Sequence, residues 1–285
     1  MNVRKVLIAT FSQTGSTLQV AEEISRGLQS MGCEVDYFVI NGKQLPKTDD
    51  FDIIGIGTPA YIFRPPFIVS DFVNSLPDLR GKSFFVFTLY GTFPGNTGNY
   101  IRRKLRKKHA RDVGYFLCHG ADYFIGYLKR GYLFSPDSPS NFELGAAQRF
   151  GKVLVRRFES SIDETEKYDP PVNPIYAIEK FTTNRQSSKL LYKLFKASDR
   201  CNGCGICISL CPTHNILADH NHKPIWHNQC LLCATCELKC PRDAITSAFD
   251  LGILSPFMNY NIRMARLKKI PFARIRHAEG KTVRI

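Results

Sequence analysis

The apolar positions change period along the first half of the chain. Val3–Thr10 is a continuous apolar-rich run, the pattern of a strand covered on both faces. Leu18, Ala21, Ile24 and Leu28 then recur at helical spacing, predicting a helix over Leu18–Ser30 that Gly32 stops. The alternation continues. Strands are predicted at Glu34–Ile40, Phe51–Gly57, Ser83–Tyr90 and Asp112–His119. Helices are predicted at Phe67–Leu76, between Pro65-Pro66 and Pro77, and at Asn99–His109 and Asn141–Ser160. Alternation of this length predicts an α/β fold over residues 1–165: a doubly wound parallel five-stranded sheet with helices on both faces.

The pattern then breaks. Residues 166–198 read as a connector, preceded and opened by Asp163, Glu164 and Glu166 and continuing through Asp169-Pro-Pro-Val-Asn-Pro174. Lys189–Lys196 (KLLYKLFK) predicts a short amphipathic helix. Residues 199–248 hold most of the cysteines and form a second, smaller domain. The tail, 249–285, carries eight basic residues between Arg263 and Arg284 against Glu279 alone. Its apolar residues (Ile262, Met264, Leu267, Ile270, Phe272, Ile275) predict that part of it packs on the body.

A length of 285 residues suits two domains, and 44% hydrophobic residues exclude a disordered chain. No run approaches the ~18 apolar residues of a membrane helix. The opening MNVRKVLIATFSQTGST lacks a small-residue cleavage site and reads as a strand, not a signal peptide, so the expected compartment is the cytoplasm.

Eight of the ten cysteines fall between Cys201 and Cys240, in two matching groups. Such clustering signals a metal site, not a disulfide framework. Cys33 and Cys118 stand apart and read as buried small hydrophobes. The groups are Cys201-x2-Cys204-x2-Cys207-x3-Cys211-Pro212 and Cys230-x2-Cys233-x2-Cys236-x3-Cys240-Pro241. Structural zinc also uses Cys-x2-Cys pairs, but gives no reason for the third cysteine and the Cys-Pro of each repeat. The repeat resembles bacterial-type ferredoxins with two [4Fe–4S] clusters. There the first three cysteines hold one cluster and the fourth crosses to the other. The resemblance implies Cys201, Cys204, Cys207 and Cys240 on one cluster, and Cys230, Cys233, Cys236 and Cys211 on the second. Gly203 and Gly205 suit tight turns around the sulfurs. Cys240-Pro-Arg-Asp-Ala-Ile245 matches the usual turn after a second motif, whereas His214-Asn215 replaces the usual Gly-Ala after the first. His214 beside a cluster would tune its potential or stand as a surface histidine; with all cluster positions filled by cysteine, His220, His222 and His227 read as solvated.

The first strand runs through Thr10 into Phe11-Ser12-Gln13-Thr14-Gly15-Ser16-Thr17 and then directly into a helix. Hydroxyls and a glycine at a strand-to-helix turn suit a phosphate, because helix-start N–H groups face the anion and the dipole favours its charge. No lysine is present, so this is not a Walker-type loop. The segment closely resembles the flavodoxin phosphate loop that binds FMN. Two further loops stand where flavodoxin-like proteins hold the isoalloxazine: Thr58, Pro59, Ala60 and Tyr61 after the third strand, and Thr88, Tyr90, Gly91, Thr92 and Gly95 around the end of the fourth. The resemblance implies that Tyr61 or Tyr90 stacks on the ring. Tyr61, Phe63 and Arg64 would also suit another ligand.

Together, the chain resembles fused flavodoxin-like and two-[4Fe–4S] ferredoxin proteins, found largely in anaerobes. The resemblance implies an iron–sulfur flavoprotein passing electrons between low-potential carriers, with redox proteins as partners. Two alternatives stand beside it: a flavin-dependent reductase of a quinone, disulfide or prenyl-type acceptor, and a non-redox binding protein with structural clusters. No nucleophilic triad or paired-carboxylate site is legible, so no catalytic residue is expected. The formal charge is +14. Two clusters and a flavin phosphate would lower it to roughly +8. Arg102, Arg103, Lys104, Arg106, Lys107, Lys108 and Arg111 form a dense basic run. It reads as a solvated helix face or as a dock for an acidic redox partner. Nucleic acid lacks a supporting motif.

Overall fold

The computed structural model describes residues 4–42, 44–163 and 185–275. Val3, the proline-rich part of the connector and the last ten residues of the tail lie outside the described residues. The chain divides into two units, one built from residues before 122 and from 137 onward to the connector, the other from 122–136 and the C-terminal part.

In the first unit, β1 (Arg4–Thr10), β2 (Cys33–Val39), β3 (Ile53–Pro59), β4 (Ser83–Tyr90) and β5 (Arg111–His119) form one sheet in the order β2-β1-β3-β4-β5. Every pair is parallel, as the alternation predicts. The two central apolar strands, β3 and β4, are buried almost throughout, which is why they read as unbroken apolar runs. The helices are α1 (Ser16–Gln29), α2 (Phe67–Ser75) and α3 (Thr97–Arg106). Two elements of the second unit follow in sequence, α4 (Ile125–Leu128) and β6 (Tyr132–Phe134), and then α5 (Asn141–Glu159) returns to the first unit.

Helices α1 and α5 pack backbone to backbone. A Cβ on Gly27 would stand 2.1 Å from Gln148 O, and one on Gly151 would stand 2.2 Å from Ile24 O. Val20, Ile24, Leu28, Ala147, Leu154 and Val155 close the core between them and the sheet.

The second unit contains α6 (Arg185–Leu191), β7 (Lys196–Ala197), α7 (Ile206–Ser209), β8 (Ile216–Ala218), β9 (Pro224–Trp226), α8 (Thr235–Leu238), β10 (Ile245–Thr246), α9 (Ser255–Leu267) and β11 (Phe272–Arg274). The segment predicted as a helix over Lys189–Lys196 is helical earlier, and Lys196 already pairs in β7 with Thr246. Residues 122–136 carry no helical or strand period from which an element can be read. Here β6 pairs antiparallel with β11 of the tail, and Phe124 meets Phe249 edge to face at 4.9 Å. Lys129 binds both Glu237 and Asp250. So the described part of the tail packs, and its partner is the 122–136 segment. No helix among the described residues is long and apolar enough to cross a membrane.

Candidate functional site

The loop after β1 turns on Gly15, whose φ of 89° only glycine adopts without strain. Gly15, the first residue of this turn into α1, has no side chain to cap the helix, leaving first-turn N–H groups free of an intrahelical acceptor. The Leu18 amide donates to Ser12 Oγ at 3.4 Å, and the Thr14 and Ser16 hydroxyls lie 3.4 Å apart. Thr14 and Gly15 are exposed, and Ser12, Gln13 and Ser16 half-buried, whereas Thr10 and Thr17 are buried in strand and helix. The result is a neutral cradle of hydroxyls and amides, the donor set a phosphomonoester needs.

The other two loops border it. The Tyr61 hydroxyl donates to Gln13 Oε1, joining the loop after β3 to the cradle. Tyr61 and Arg64 close a tight turn through Ile62 and Phe63. The Ala60 amide donates to Leu89 O at 2.7 Å, linking Pro59-Ala60 to the end of β4. Thr58 and Thr88 are neighbours in register and fully buried; among the described residues the Thr88 hydroxyl has no hydrogen-bond partner. Gly91 is half-buried, Thr92 is buried, and Gly95 packs against the Phe63 backbone. Tyr90 is half-buried, and burial pushes its hydroxyl up to about 12. The cradle and the loops at the carboxyl ends of β3 and β4 thus suit a phosphate-bearing planar ligand.

The sequence reading missed His119 and Glu143 at the same end of the sheet. His119 Nδ1 lies 3.3 Å from Glu143 Oε1. Burial acts to raise the Glu143 carboxyl, but bonds from Ser140 and the His119 charge outweigh it and hold the group below its ordinary range. The Ser140-x-x-Glu143 capping box was readable; its approach to His119 was not.

In the second unit, Cys201, Cys204, Cys207 and Cys240 line one cavity, together with Pro241 and His222. They surround a space instead of meeting at a point: among the described residues, no three His, Cys, Asp or Glu side chains form a group able to hold a single metal ion. Cys211, Cys230, Cys233 and Cys236 lie close enough to influence one another's ionisation. The two motifs repeat the same hydrogen bonds. The Asn215 amide donates to Cys211 Sγ and the Ala244 amide to Cys240 Sγ, both at 3.3 Å. His214 and Asp243 take matching left-handed turns after each Cys-Pro. Among the described residues the buried Trp226 indole N–H has no oxygen or nitrogen acceptor; it lies beside Cys236, whose thiolate it favours. Sulfur at this position would satisfy it. Burial pushes Cys207 up to about 11 and Cys230 to about 12, so without iron these thiols hold their protons at neutral pH. His214, His220, His222 and His227 are exposed. Cys33 and Cys118 are buried, and burial pushes Cys118 up to about 12, as suits unreactive thiols.

The basic run is not a free charged face. Arg102 is buried with Asp112, its Nε 2.7 Å from Oδ2, and Arg106 reaches Asp112 and Asp163. Lys108 binds the carbonyls of Asn74 and Leu76 at the end of α2, and Lys104 the Asn74 side chain. Arg111 bonds Ser83 and Phe158. Arg103 and Lys107 stay exposed.

Comparison with known families matches a flavodoxin domain at residues 7–121 and a 4Fe-4S dicluster domain at 200–245. No curated protein matches the chain. Among solved structures, it is similar to a flavodoxin from the domain Archaea, at 18% identity and a TM-score of 0.42, covering 54% of this chain and 99% of that one. It is similar to oxidised flavodoxin 1 from Bacillus cereus at 18% identity and 0.43, covering 53% and 97%. Two-electron reduced Megasphaera elsdenii flavodoxin matches at 22% and 0.40, covering 53% and 98%.

Proposed function

On the premise that this chain is a flavodoxin domain followed by a 4Fe-4S dicluster domain, the organisation of a fused flavodoxin and ferredoxin protein, we propose that it carries electrons through two [4Fe–4S] clusters and one FMN. The observation that carries the reading is the cavity lined by Cys201, Cys204, Cys207 and Cys240, three cysteines of one motif with the last of the other. Cys230, Cys233, Cys236 and Cys211 would hold the second cluster. The clusters supply one-electron capacity. The protein supplies sulfur ligands, amide donors to sulfur and shielding, which tune potential.

The residues for FMN are Thr10, Ser12, Gln13, Thr14, Gly15, Ser16 and Thr17 at the phosphate, with Thr58, Pro59, Ala60, Tyr61, Thr88, Tyr90, Gly91, Thr92 and Gly95 toward the ring. The start of α1 at Gly15, which offers no capping side chain, supports the phosphate assignment. FMN would couple one-electron and two-electron traffic. Redox proteins are the partners. Arg103 and Lys107 are what the basic run leaves exposed to an acidic one. Reducing conditions suit the cysteines and point to the cytoplasm.

Anaerobic purification followed by iron, sulfide and flavin assay tests this reading. About eight irons, eight sulfides and one FMN per chain are expected. About four irons would overturn the two-cluster assignment, and no flavin uptake would overturn the FMN assignment. A second reading, reduction of a small two-electron acceptor, is favoured by the His119–Glu143 pair.

A further inference from the structure

Three side chains meet at the carboxyl ends of β4 and β5, and two of them, His119 and Glu143, have no role in phosphate or ring binding. The Tyr90 ring packs on the His119 imidazole with centroids 4.3 Å apart. Glu143 Oε1 lies 3.3 Å from His119 Nδ1 and accepts from the His119 amide at 3.3 Å. Its other oxygen accepts from the Ser140 amide at 2.7 Å and hydroxyl at 2.8 Å. One fixed carboxylate therefore holds both the backbone and the ring of His119. A carboxylate on Nδ1 places the proton there and leaves Nε2 as the exchanging nitrogen. The imidazole is 39% exposed, so it can regain a proton from water.

The dyad borders the cradle. The Gly120 amide donates to Tyr90 O at 2.9 Å, and a Cβ on Gly120 would lie 3.9 Å from Ser16 Cβ. Passing single electrons needs no proton donor. Reducing a carbonyl by two electrons does.

We propose that His119, oriented by Glu143 and backed by Tyr90, is the proton-transfer group for reduction of a quinone-class acceptor bound at the carboxyl ends of β4 and β5, beside the Ser12–Thr17 cradle. This rests on the flavin reading above. The acceptor takes two electrons from the reduced protein and two protons. One O–H bond forms as the Nε2–H bond of the His119 imidazolium breaks, leaving the neutral ring with its proton on Nδ1; the second proton comes from water. His119 is then reprotonated by solvent, so quinone, two electrons and two protons give the hydroquinone. The titratable groups facing His119 are Glu143 from α5, Tyr90 from β4 and Cys118 on its own strand. Burial pushes Tyr90 and Cys118 up to about 12, so both stay neutral, while Glu143 stays ionised.

The holoprotein, photoreduced without oxygen, is mixed with a water-soluble benzoquinone and its reoxidation followed from about pH 5.5 to 9. His119→Gln is expected to slow reoxidation at least tenfold, to flatten the pH profile and to leave iron and FMN content unchanged. Imidazole 15N spectra are expected to show the Nδ1–H tautomer in the wild type and to lose that preference in Glu143→Gln. Unchanged rates and pH profile in flavin-loaded His119→Gln would overturn the proposal, as would an Nε2–H tautomer in the wild type. A chain that takes up no FMN would overturn the flavin reading itself, a failure visible before any quinone is added.

Discussion

Single residues show which charges are structural. Asp112 is fully buried and held by Arg102, itself buried. Asp112→Ala leaves that guanidinium uncompensated, so urea unfolding should show a loss of about 3–5 kcal/mol. A loss under about 1 kcal/mol would mean that water reaches Arg102. Glu143 gives a pH signature. Its folded carboxyl titrates below the ordinary range, so its contribution is complete above the unfolded value of about 4.3 and disappears as pH falls through the folded value. Glu143→Gln should therefore cost about 1 kcal/mol at neutral pH and nothing in strong acid. A constant difference across that window would remove the carboxylate from the account. The cluster cysteines were legible because their spacing is local. His119 and Glu143 stand 24 residues apart and meet only once α5 has docked.

Pairs of elements carry the next lesson. Helices α1 and α5 touch through Gly27 and Gly151, where any side chain would enter the facing backbone. Gly151→Leu should lower the thermal midpoint steeply, with an overpacking cost of about 3 kcal/mol. A variant as stable as wild type would show that the helices can separate without loss. Strands β1, β3 and β4 were legible because burial on both faces writes a continuous apolar run, and Ser83–Tyr90 appears with the same ends in sequence and structure. The 122–136 segment was not. Its three-residue strand has no period to read, and its partner, Phe272–Arg274, lies far along the chain. The basic run misled in the same way: composition counts charges but not the carbonyls of α2 or the carboxylates that take them up.

At the scale of the whole molecule, the chain path crosses between units more than once, because 122–136 belongs with the C-terminal part. Lys129 from that segment holds buried Glu237, the residue after Cys236, together with Asp250. Burial pushes the Glu237 carboxyl up, opposed by Lys129. Lys129→Met should cost about 2 kcal/mol, reduced from the fully buried case because Lys129 is partly exposed. It should speed loss of the iron–sulfur absorbance on mild heating without changing flavin retention. Equal rates in variant and wild type would show that the clamp does not reach the cluster site. The same path sets an order for synthesis. Phe124 and Phe134 leave the ribosome well before Phe249 and Phe272, which meet them in the finished unit. At ~5–20 residues per second, the intervening stretch takes on the order of 10 s to emerge. For that interval the nascent chain displays aromatic surface with no native cover, which makes it a natural client for a ribosome-associated chaperone.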